Sequence, residues 1–314
     1  MHEKIVIALG GNALQSKDSD ATAESQLRVV KKTCEHLADI SRQGYEMAVV
    51  HGNGPQVGRI VLASETAKDT VPPMPFDVCG AMSQGYIGYH IQQSLKYALA
   101  ARGRSIPVVS LTTQVVVDRA DPAFQNPTKP IGGFYTAEEA RAMEQEKGYT
   151  MREEATKGWR RVVPSPQPRR IVEIGAVKLL WDHAIVITCG GGGVPVAENE
   201  DGTLEGVAAV IDKDLSAELL AEQVGADKLL ILTEVEKVAI NFGKPDQQNL
   251  DHLSLAQAAQ YAKDGQFGVG SMLPKVQAAM RFVRHDPEKT AIITSLDQCL
   301  EALEGKTGTR VTFA

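Results

Sequence analysis

The sequence predicts an α/β protein with a mainly parallel sheet and helices on both faces of that sheet. The first observation is that apolar, β-branched runs alternate with segments of helical periodicity along the chain. The second is that runs such as 5–7 are apolar at every position, which is typical of strands buried on both faces. The third is that three of these runs end in glycine turns, the place where open parallel sheets bind ligands.

Length and composition limit the class of protein. A chain of 314 residues exceeds one typical core, so we expect two lobes. The net charge of -6 argues against general nucleic-acid binding, which requires a basic excess. Scattered cysteines without a CxxC pair, no signal-peptide pattern and no membrane-length apolar run predict a cytoplasmic protein.

The first half of the chain begins with a strand that runs into a glycine turn. Ile5, Val6 and Ile7 form the strand, and Gly10 and Gly11 end it. The later predictions, in chain order, are a polar loop over 15–23, a helix over 24–43, a strand over 45–50, a second glycine turn in HGNGPQVG (51–58), an apolar helix over 80–101, and strands over 106–111 and 115–117.

Residues 118–170 differ from the rest, and we predict that they form a small insertion standing on the main sheet. Asp121-Pro122, Asn126-Pro127 and the run 129–133 are turn signals. A charged helix is expected at about 137–147, before the proline-rich residues 164–168. Insertions of this kind often act as lids.

The second half repeats the strand–turn–helix pattern. A strand over 184–188 ends in four consecutive glycines, 190–193, which indicate close approach of the backbone to a ligand or to another segment. The remaining predictions are helices over 171–183, from 212–214 to 226, 255–262 and 271–284, and strands over 228–233, 291–294 and 310–313.

Glycine turns combined with lysines in loop-like positions indicate phosphate chemistry. The chain has neither GxGxxG nor GxxxxGK[ST], so it is not predicted to be a dinucleotide-fingerprint or P-loop protein. Backbone N–H groups at helix N-termini bind phosphate, and lysine adds a compact charge. Phosphoryl transfer depends mainly on positioning and charge neutralisation, which suits this combination.

Three lysines are the candidates for that charge. Lys213 stands between two aspartates, although a capping aspartate beside a solvated lysine explains the same local pattern. Lys275 lies in the first turn of a helix, where a cation opposes the dipole unless an anion binds there. Lys129 precedes a proline in the insertion, and the composition of that segment alone is typical of an ordinary surface lysine. We interpret His51 as structural, because the sequence fixes no carboxylate partner for it.

Seven segments in order give the chain a family resemblance. The chain resembles the amino-acid kinase superfamily, and within it the carbamate kinase family. The segments are ALGGNAL (8–14), HGNGPQVG (51–58), KPIGGFY (129–135), RRVVPSP (160–166), CGGGGVPV (189–196), DKDLSAELLA (212–221) and GSMLPKVQAA (270–279).

The resemblance implies an open three-layer αβα sandwich with a central sheet of about eight strands and a protruding subdomain at about 118–165. Residues 1–205 would form a lobe with the carbamate or carbamoyl phosphate site and a dimer interface, and residues 206–314 a nucleotide-binding lobe. The implied reaction is reversible phosphoryl transfer between ATP and carbamate, with Mg²⁺ on the nucleotide phosphates and no direct protein ligand for it. A homodimer and ATP formation in arginine catabolism are also implied.

The same resemblance assigns roles to residues. Lys129, Lys213, Asp214 and Lys275 would be catalytic, with Asp214 orienting lysines. The small substrate would contact Gly10, Gly11, Asn12, Gly52, Asn53 and, as a weaker candidate, Arg161. The nucleotide would contact Gly190, Gly191, Gly192, Lys213, Thr233, Val235, Met272 and Lys275.

Two departures from the family pattern stand out. Glu234 and Glu236 occupy positions that usually carry aspartates, and Ala8 stands where related kinases keep a lysine. We therefore expect the missing cation to come from Lys129, with the subdomain closing over the first strand. A kinase acting on an amino-acid carboxylate and a non-catalytic metabolite sensor are the alternatives; the KPIGGFY segment and the retained lysines argue against them.

Overall fold

A computed structural model describes residues 3–15, 22–154 and 157–314. Residues 16–21, the middle of the loop predicted over 15–23, lie outside the described residues. The strands are β1 Lys4–Leu9, β2 Glu46–His51, β3 Val108–Ser110, β4 Gln114–Val117, β5 Lys129–Tyr135, β6 Thr150–Glu154, β7 Gly158–Val163, β8 Pro168–Ile171, β9 Ile185–Ile187, β10 Val194–Glu198, β11 Leu204–Gly206, β12 Lys228–Thr233, β13 Val238–Ile240, β14 Gln248–Leu250, β15 His252–Ser254, β16 Thr290–Ser295 and β17 Thr309–Thr312. The helices are α1 Ala23–Arg42, α2 Gly54–Thr66, α3 Phe76–Ala101, α4 Ala137–Lys147, α5 Ile174–Trp181, α6 Lys213–Val224, α7 Leu255–Lys263, α8 Met272–His285 and α9 Cys299–Leu303.

The central sheet confirms the predicted α/β class and strand number. Among the described residues it has eight strands in the order β15-β17-β16-β12-β1-β2-β9-β3. Six of them, from β16 to β3 in this order, are parallel to one another. Strand β17 is antiparallel to β16, and the edge strand β15 is parallel to β17. Strands from before and after residue 206 therefore share one continuous sheet.

The first strand lies near the middle of the sheet and is buried on both faces, as its sequence predicts. Val6 and Ala8 pack into one hydrophobic core, and Ile5, Ile7 and Leu9 pack into the other. This alternation follows from the two-residue period of a strand. Helices α1, α3 and α9 cover one face, and α5, α6, α7 and α8 cover the other, which gives the three layers.

The insertion is a small antiparallel sheet with one helix. Strands β5, β7 and β6 pair in that order, and α4 spans the range predicted for the charged helix. A capping box between Thr136 and Glu139 explains where α4 begins. The turn predicted over 129–133 is wrong: these residues belong to β5, which bends through an irregularity near Gly132.

Other boundaries also differ from the predictions. The helix predicted over 171–183 starts only at Ile174, because 168–171 pair antiparallel with β4. The helix predicted over 80–101 begins at Phe76, directly after Pro75. A four-stranded sheet, β11-β10-β4-β8, joins the insertion to the body. None of the helices in the described part of the chain has the length and apolar composition of a membrane span.

Candidate active site

A cavity of about 540 Å³ opens at the carboxyl ends of β1 and β12 and at the N-termini of α6 and α8. Its size is in the range of small-molecule and cofactor sites. The residues that line it are Gly10, Gly11, Asn12, Lys129, Asp212, Lys213, Asp214, Thr233, Glu234, Val235, Lys237, Ala239, Phe242, Gln266, Phe267, Gly268, Gly270, Ser271, Met272 and Lys275.

The glycine turn after β1 forms one wall of the cavity. Gly10 has no space for a side chain, since a Cβ there would lie 2.8 Å from the carbonyl oxygen of Leu232. At Gly11, apart from the glycine itself and its two chain neighbours, no atom of the described chain lies within 4 Å of such a Cβ, so this backbone stays accessible. Asn12 donates from Nδ2 to the carbonyl of Thr233 at 3.4 Å, which holds the turn against β12.

Asp214 connects two of the predicted lysines. Lys213 Nζ donates to Oδ1 of Asp214 at 2.5 Å, and Lys275 Nζ donates to Oδ2 at 2.8 Å. Asp214 as a whole is only 3% exposed. Burial alone would raise the pKa of Asp214, but the two lysines outweigh it and hold that pKa well below its usual range. Asp214 therefore stays charged and orients both ammonium groups.

The two lysines differ in their own ionisation. Burial lowers the pKa of Lys213; Asp214 opposes the shift, whereas the neighbouring charge of Lys275 adds to it. Burial would also lower the pKa of Lys275, but the attraction of Asp214 outweighs it and raises that pKa. Without Asp214, burial and the charge of Lys275 would lower the pKa of Lys213 further.

Lys129 enters the same cavity from the insertion. Its Nζ lies 2.7 Å from Oδ2 of Asp212, and Oδ1 of Asp212 accepts from the backbone N–H of residue 214 at the start of α6. Three lysines against two aspartates leave this end of the cavity with one net positive charge. Two helix N-termini face the same space, so the region suits an anion such as a phosphate.

The opposite end of the cavity is largely apolar. Val235 and Met272, both predicted, line it together with Phe242 and Phe267, which the sequence analysis did not identify. Phe242 is two-thirds exposed at a turn beside Asn241, whose φ of 52° is left-handed. The sequence signal that could have identified Phe242 is an aromatic residue beside the glycine and proline of a turn. This end can accept a flat, apolar ring.

The four-glycine run does not line this cavity in the described structure. A Cβ at Gly190 would lie 2.4 Å from Nε2 of His51, and one at Gly191 would lie 2.1 Å from Nδ2 of Asn53. At Gly192 it would lie 2.2 Å from a backbone carbonyl. The predicted close approach is therefore observed, but to other protein segments. The predicted contact with phosphates gains no geometric support.

Gly52 and Asn53 lie behind the lysine cluster. A Cβ at Gly52 would lie 3.5 Å from Cδ of Lys213, so Gly52 packs against the stem of that lysine. Asn53 is buried and donates to Oγ of Ser83 at 2.8 Å. His51 is buried with Nδ1 2.8 Å from the carbonyl of Gly52, and burial lowers its pKa to about 4. A neutral, enclosed imidazole agrees with the structural role predicted for it.

Arg161 is not brought into the cavity. Its guanidinium lies 3.5 Å from the ring centre of Tyr149 and 3.7 Å from a carboxylate oxygen of Glu65. These contacts place it between the insertion and α2. The weaker assignment of Arg161 to the small substrate therefore lacks a geometric basis here.

Comparison with known proteins identifies the family. Residues 3–295 match the family model described as the amino acid kinase family. A carbamate kinase of Clostridium perfringens is 53% identical over 98% of this chain and 99% of its own length. The carbamate kinase-like protein YqeA of Escherichia coli is 52% identical over 98% and 99%. The solved carbamate kinase from Giardia lamblia bound to AMP-PNP has a TM-score of 0.92 and 43% identity, covering 99% of this chain and 98% of its own. The chain therefore belongs to the amino acid kinase family and, within it, to the carbamate kinase group of phosphotransferases.

Proposed function

We propose that the cavity catalyses reversible phosphoryl transfer between ATP and carbamate, giving ADP and carbamoyl phosphate. The observation that carries the proposal is the joining of Lys213 and Lys275 through Asp214 at two helix N-termini, opposite Lys129. Charge on a moving phosphoryl group would be neutralised from both sides. Carbamate is itself a nucleophile, so no strong general base is required.

The cavity has an apolar end and a charged end, which suit the two substrates of this reaction. The adenine would lie at the apolar end near Val235 and Met272, and the phosphates would reach Lys213 and Lys275. The small substrate would lie at the Gly10–Gly11–Asn12 turn, within reach of Lys129. We infer from this that residues 206–314 supply the nucleotide lobe and residues 1–205 the carbamate lobe.

We propose that Mg²⁺ accompanies the nucleotide without a protein ligand. Mg²⁺ takes oxygen ligands, and both cavity aspartates already accept hydrogen bonds from lysines. Phosphate oxygens and water would then be its ligands, and the lysines would act on the remaining phosphate charge. When bound, the ion would supply further neutralisation of the transferred group.

A coupled assay tests the reaction. Purified protein with ADP and carbamoyl phosphate should form ATP, whereas acetyl phosphate should give little. We expect Lys275→Ala to lower turnover by roughly 10²–10³-fold, because it removes a charge from the transfer site. Equal turnover of acetyl phosphate would favour a general carboxylate kinase, and nucleotide binding without ATP formation would favour a sensor.

We also propose a homodimer that works in the cytoplasm and makes ATP in arginine catabolism. Support for the dimer comes from exposed apolar residues at helical spacing on α3, namely Val78, Met82, Tyr89 and Tyr97. All four cysteines are free and buried, as suits a reducing compartment. Light scattering that gives the mass of one subunit would contradict the dimer. Unchanged arginine-dependent ATP formation in a deletion strain would contradict the pathway.

A further inference from the structure

A second cluster of chemically active side chains lies away from the cavity, between the middle and C-terminal part of α6 and the C-terminal end of α8. Glu218 and Glu222 are one helical turn apart on α6, and His285 is the last residue of α8. Each offers one ligand atom, and these atoms all lie within 4.8 Å of one another. Nε2 of His285 is 3.6 Å from a carboxylate oxygen of Glu222. No other such group of three occurs among the described residues.

Glu218 provides an independent observation that points to a ligand at this cluster. The residue is only 4% exposed, and its Oε1 has no hydrogen-bond partner in the described part of the chain. Its charged neighbours are Glu222, which is negative, and Arg281, which is positive. The Arg281 guanidinium donates to Gln167 at 2.8 Å. A buried carboxyl group without a partner is costly unless a cation or a proton satisfies it.

We propose that Glu218, Glu222 and His285 bind one divalent transition-metal ion of the Zn²⁺ type. Imidazole nitrogen and carboxylate oxygen are both donors that Zn²⁺ accepts, whereas Mg²⁺ prefers oxygen alone. Ligands about 2.1 Å from one ion lie within about 4.2 Å of each other. Small rotations of the exposed Glu222 and His285 side chains reach that spacing, and water completes the coordination.

The position of this site suggests what the ion does. Helices α6 and α8 run in the same direction: their N-termini meet at Asp214 and Lys275, and their C-termini meet at Glu222 and His285. Asp214, Glu218 and Glu222 follow one stripe of α6, and an ion between the last two would lie about 6–12 Å along the helix axis from Asp214. It would join the two helices that carry that cluster without contacting the substrate. We therefore expect an effect on stability, since a ligand that binds only the folded state stabilises it.

Zinc binding to the whole protein, treated with a chelator and dialysed, tests the proposal. Calorimetry with Zn²⁺ alone, without nucleotide, should give one equivalent bound and a higher melting temperature. Glu218→Gln and His285→Gln should each weaken binding by roughly 100-fold or more, and Mg²⁺ should not replace Zn²⁺.

The matched control is His252→Gln, which removes another exposed histidine. His252 contacts Thr312 at the β15 edge of the central sheet, outside the Glu218–Glu222–His285 cluster. Zinc affinity of this variant should equal that of the wild type. Absence of stoichiometric binding, or equal binding by wild type, Glu218→Gln and His285→Gln, would overturn the proposal. His285→Gln keeps the test decisive if Glu218→Gln fails to fold, because His285 is at the surface.

Discussion

Asp214 and Glu65 are carboxylates that each hold several partners, but in two different regions. Asp214 holds Lys213 and Lys275, and all three residues line the cavity. Glu65, on α2, accepts from Lys147 and Tyr149 of the insertion and lies 3.7 Å from Arg161.

The difference lies in what covers each cluster. The lysines at Asp214 face a space of about 540 Å³, so a bound anion can share their charge. At the other cluster the ring of Tyr149 covers Arg161, and the neighbouring cavity holds only about 20 Å³. The same electrostatic device therefore serves two purposes: it presents charge to a ligand in the body and fastens the insertion to α2.

Fastening the insertion matters because β5 carries Lys129. A Cβ at Gly58 of α2 would lie 2.3 Å from Cα of Gly132, so the two backbones touch three residues after Lys129. The sequence led us to expect that the subdomain closes over the first strand. In the structure Lys129 already lies in the cavity with Gly10 and Asn12, held by Asp212.

The largest effect is expected from Asp214→Asn. Turnover should fall by roughly 10²–10³-fold, because both lysines lose the group that orients them. The pKa of Lys213, already lowered by burial, should fall further without Asp214. A lysine is charged below its pKa, so the residual activity should recover as the pH is lowered. The pH dependence of turnover measures this shift.

Asp39→Asn is the matched control for that variant. Asp39 also forms a bidentate ion pair, in which it accepts from Nε and Nη2 of Arg102 at 2.8 Å. This pair joins α1 to the end of α3, away from the cavity. We expect lower stability and wild-type turnover. If Asp214→Asn kept the wild-type pH profile and rate, the assignment of Asp214 as the residue that orients the lysines would be wrong.

A smaller but clear contrast is expected between two lysines of the insertion. Lys129→Ala should lower turnover by about 10²-fold, because its charge faces the cavity. Lys147→Ala should remain within about threefold of wild type, since it removes one partner of a surface ion pair. Steady-state rates of ATP formation compare the two. Equal losses would mean that Lys129 acts by fastening the insertion.

Much of the fold could be predicted from local sequence. Helix α4 has the predicted bounds because its capping box fixes its start, and β12 has them because its apolar run is uninterrupted. Strand β5 was missed because its proline and two glycines read as a turn, whereas pairing with β7 keeps the chain extended. Tertiary pairing thus overrides local propensity.

Local sequence predicts the residue types of the site, but the connection of Asp214 to the lysines was expected only from the family resemblance. Lys213 and Lys275 were identified, yet their common partner Asp214 is 61 residues from the second of them, and no local pattern reports such a contact. Glycine runs are equally ambiguous. Gly11 faces the cavity and Gly191 packs against a side chain, although both follow a strand. Only the surrounding fold distinguishes the two uses.

A smaller effect on turnover than that of Lys129→Ala is expected from Glu65→Gln. Burial alone would raise the pKa of Glu65, but hydrogen bonds from Lys147 and Tyr149 outweigh it and lower that pKa. A carboxyl group whose pKa is lowered by docking stabilises the docked state at every pH above its unfolded pKa of about 4.5. This stabilisation is lost as the pH falls through the lower pKa of the folded protein. Hydrogen exchange over 129–154 and 157–163, taken relative to the intrinsic exchange rate at each pH, should therefore increase in wild type only in acid.

In Glu65→Gln the same exchange should be fast already at neutral pH, while turnover falls by less than about 10-fold, because Lys129 still reaches Asp212 part of the time. Tyr149→Phe is the matched control: it removes one hydrogen bond to Glu65 but keeps the ring on which Arg161 stacks. It should give intermediate exchange. A loss in Glu65→Gln as large as that in Lys129→Ala would place Glu65 with the reaction itself, and the distinction between the two carboxylates would fail.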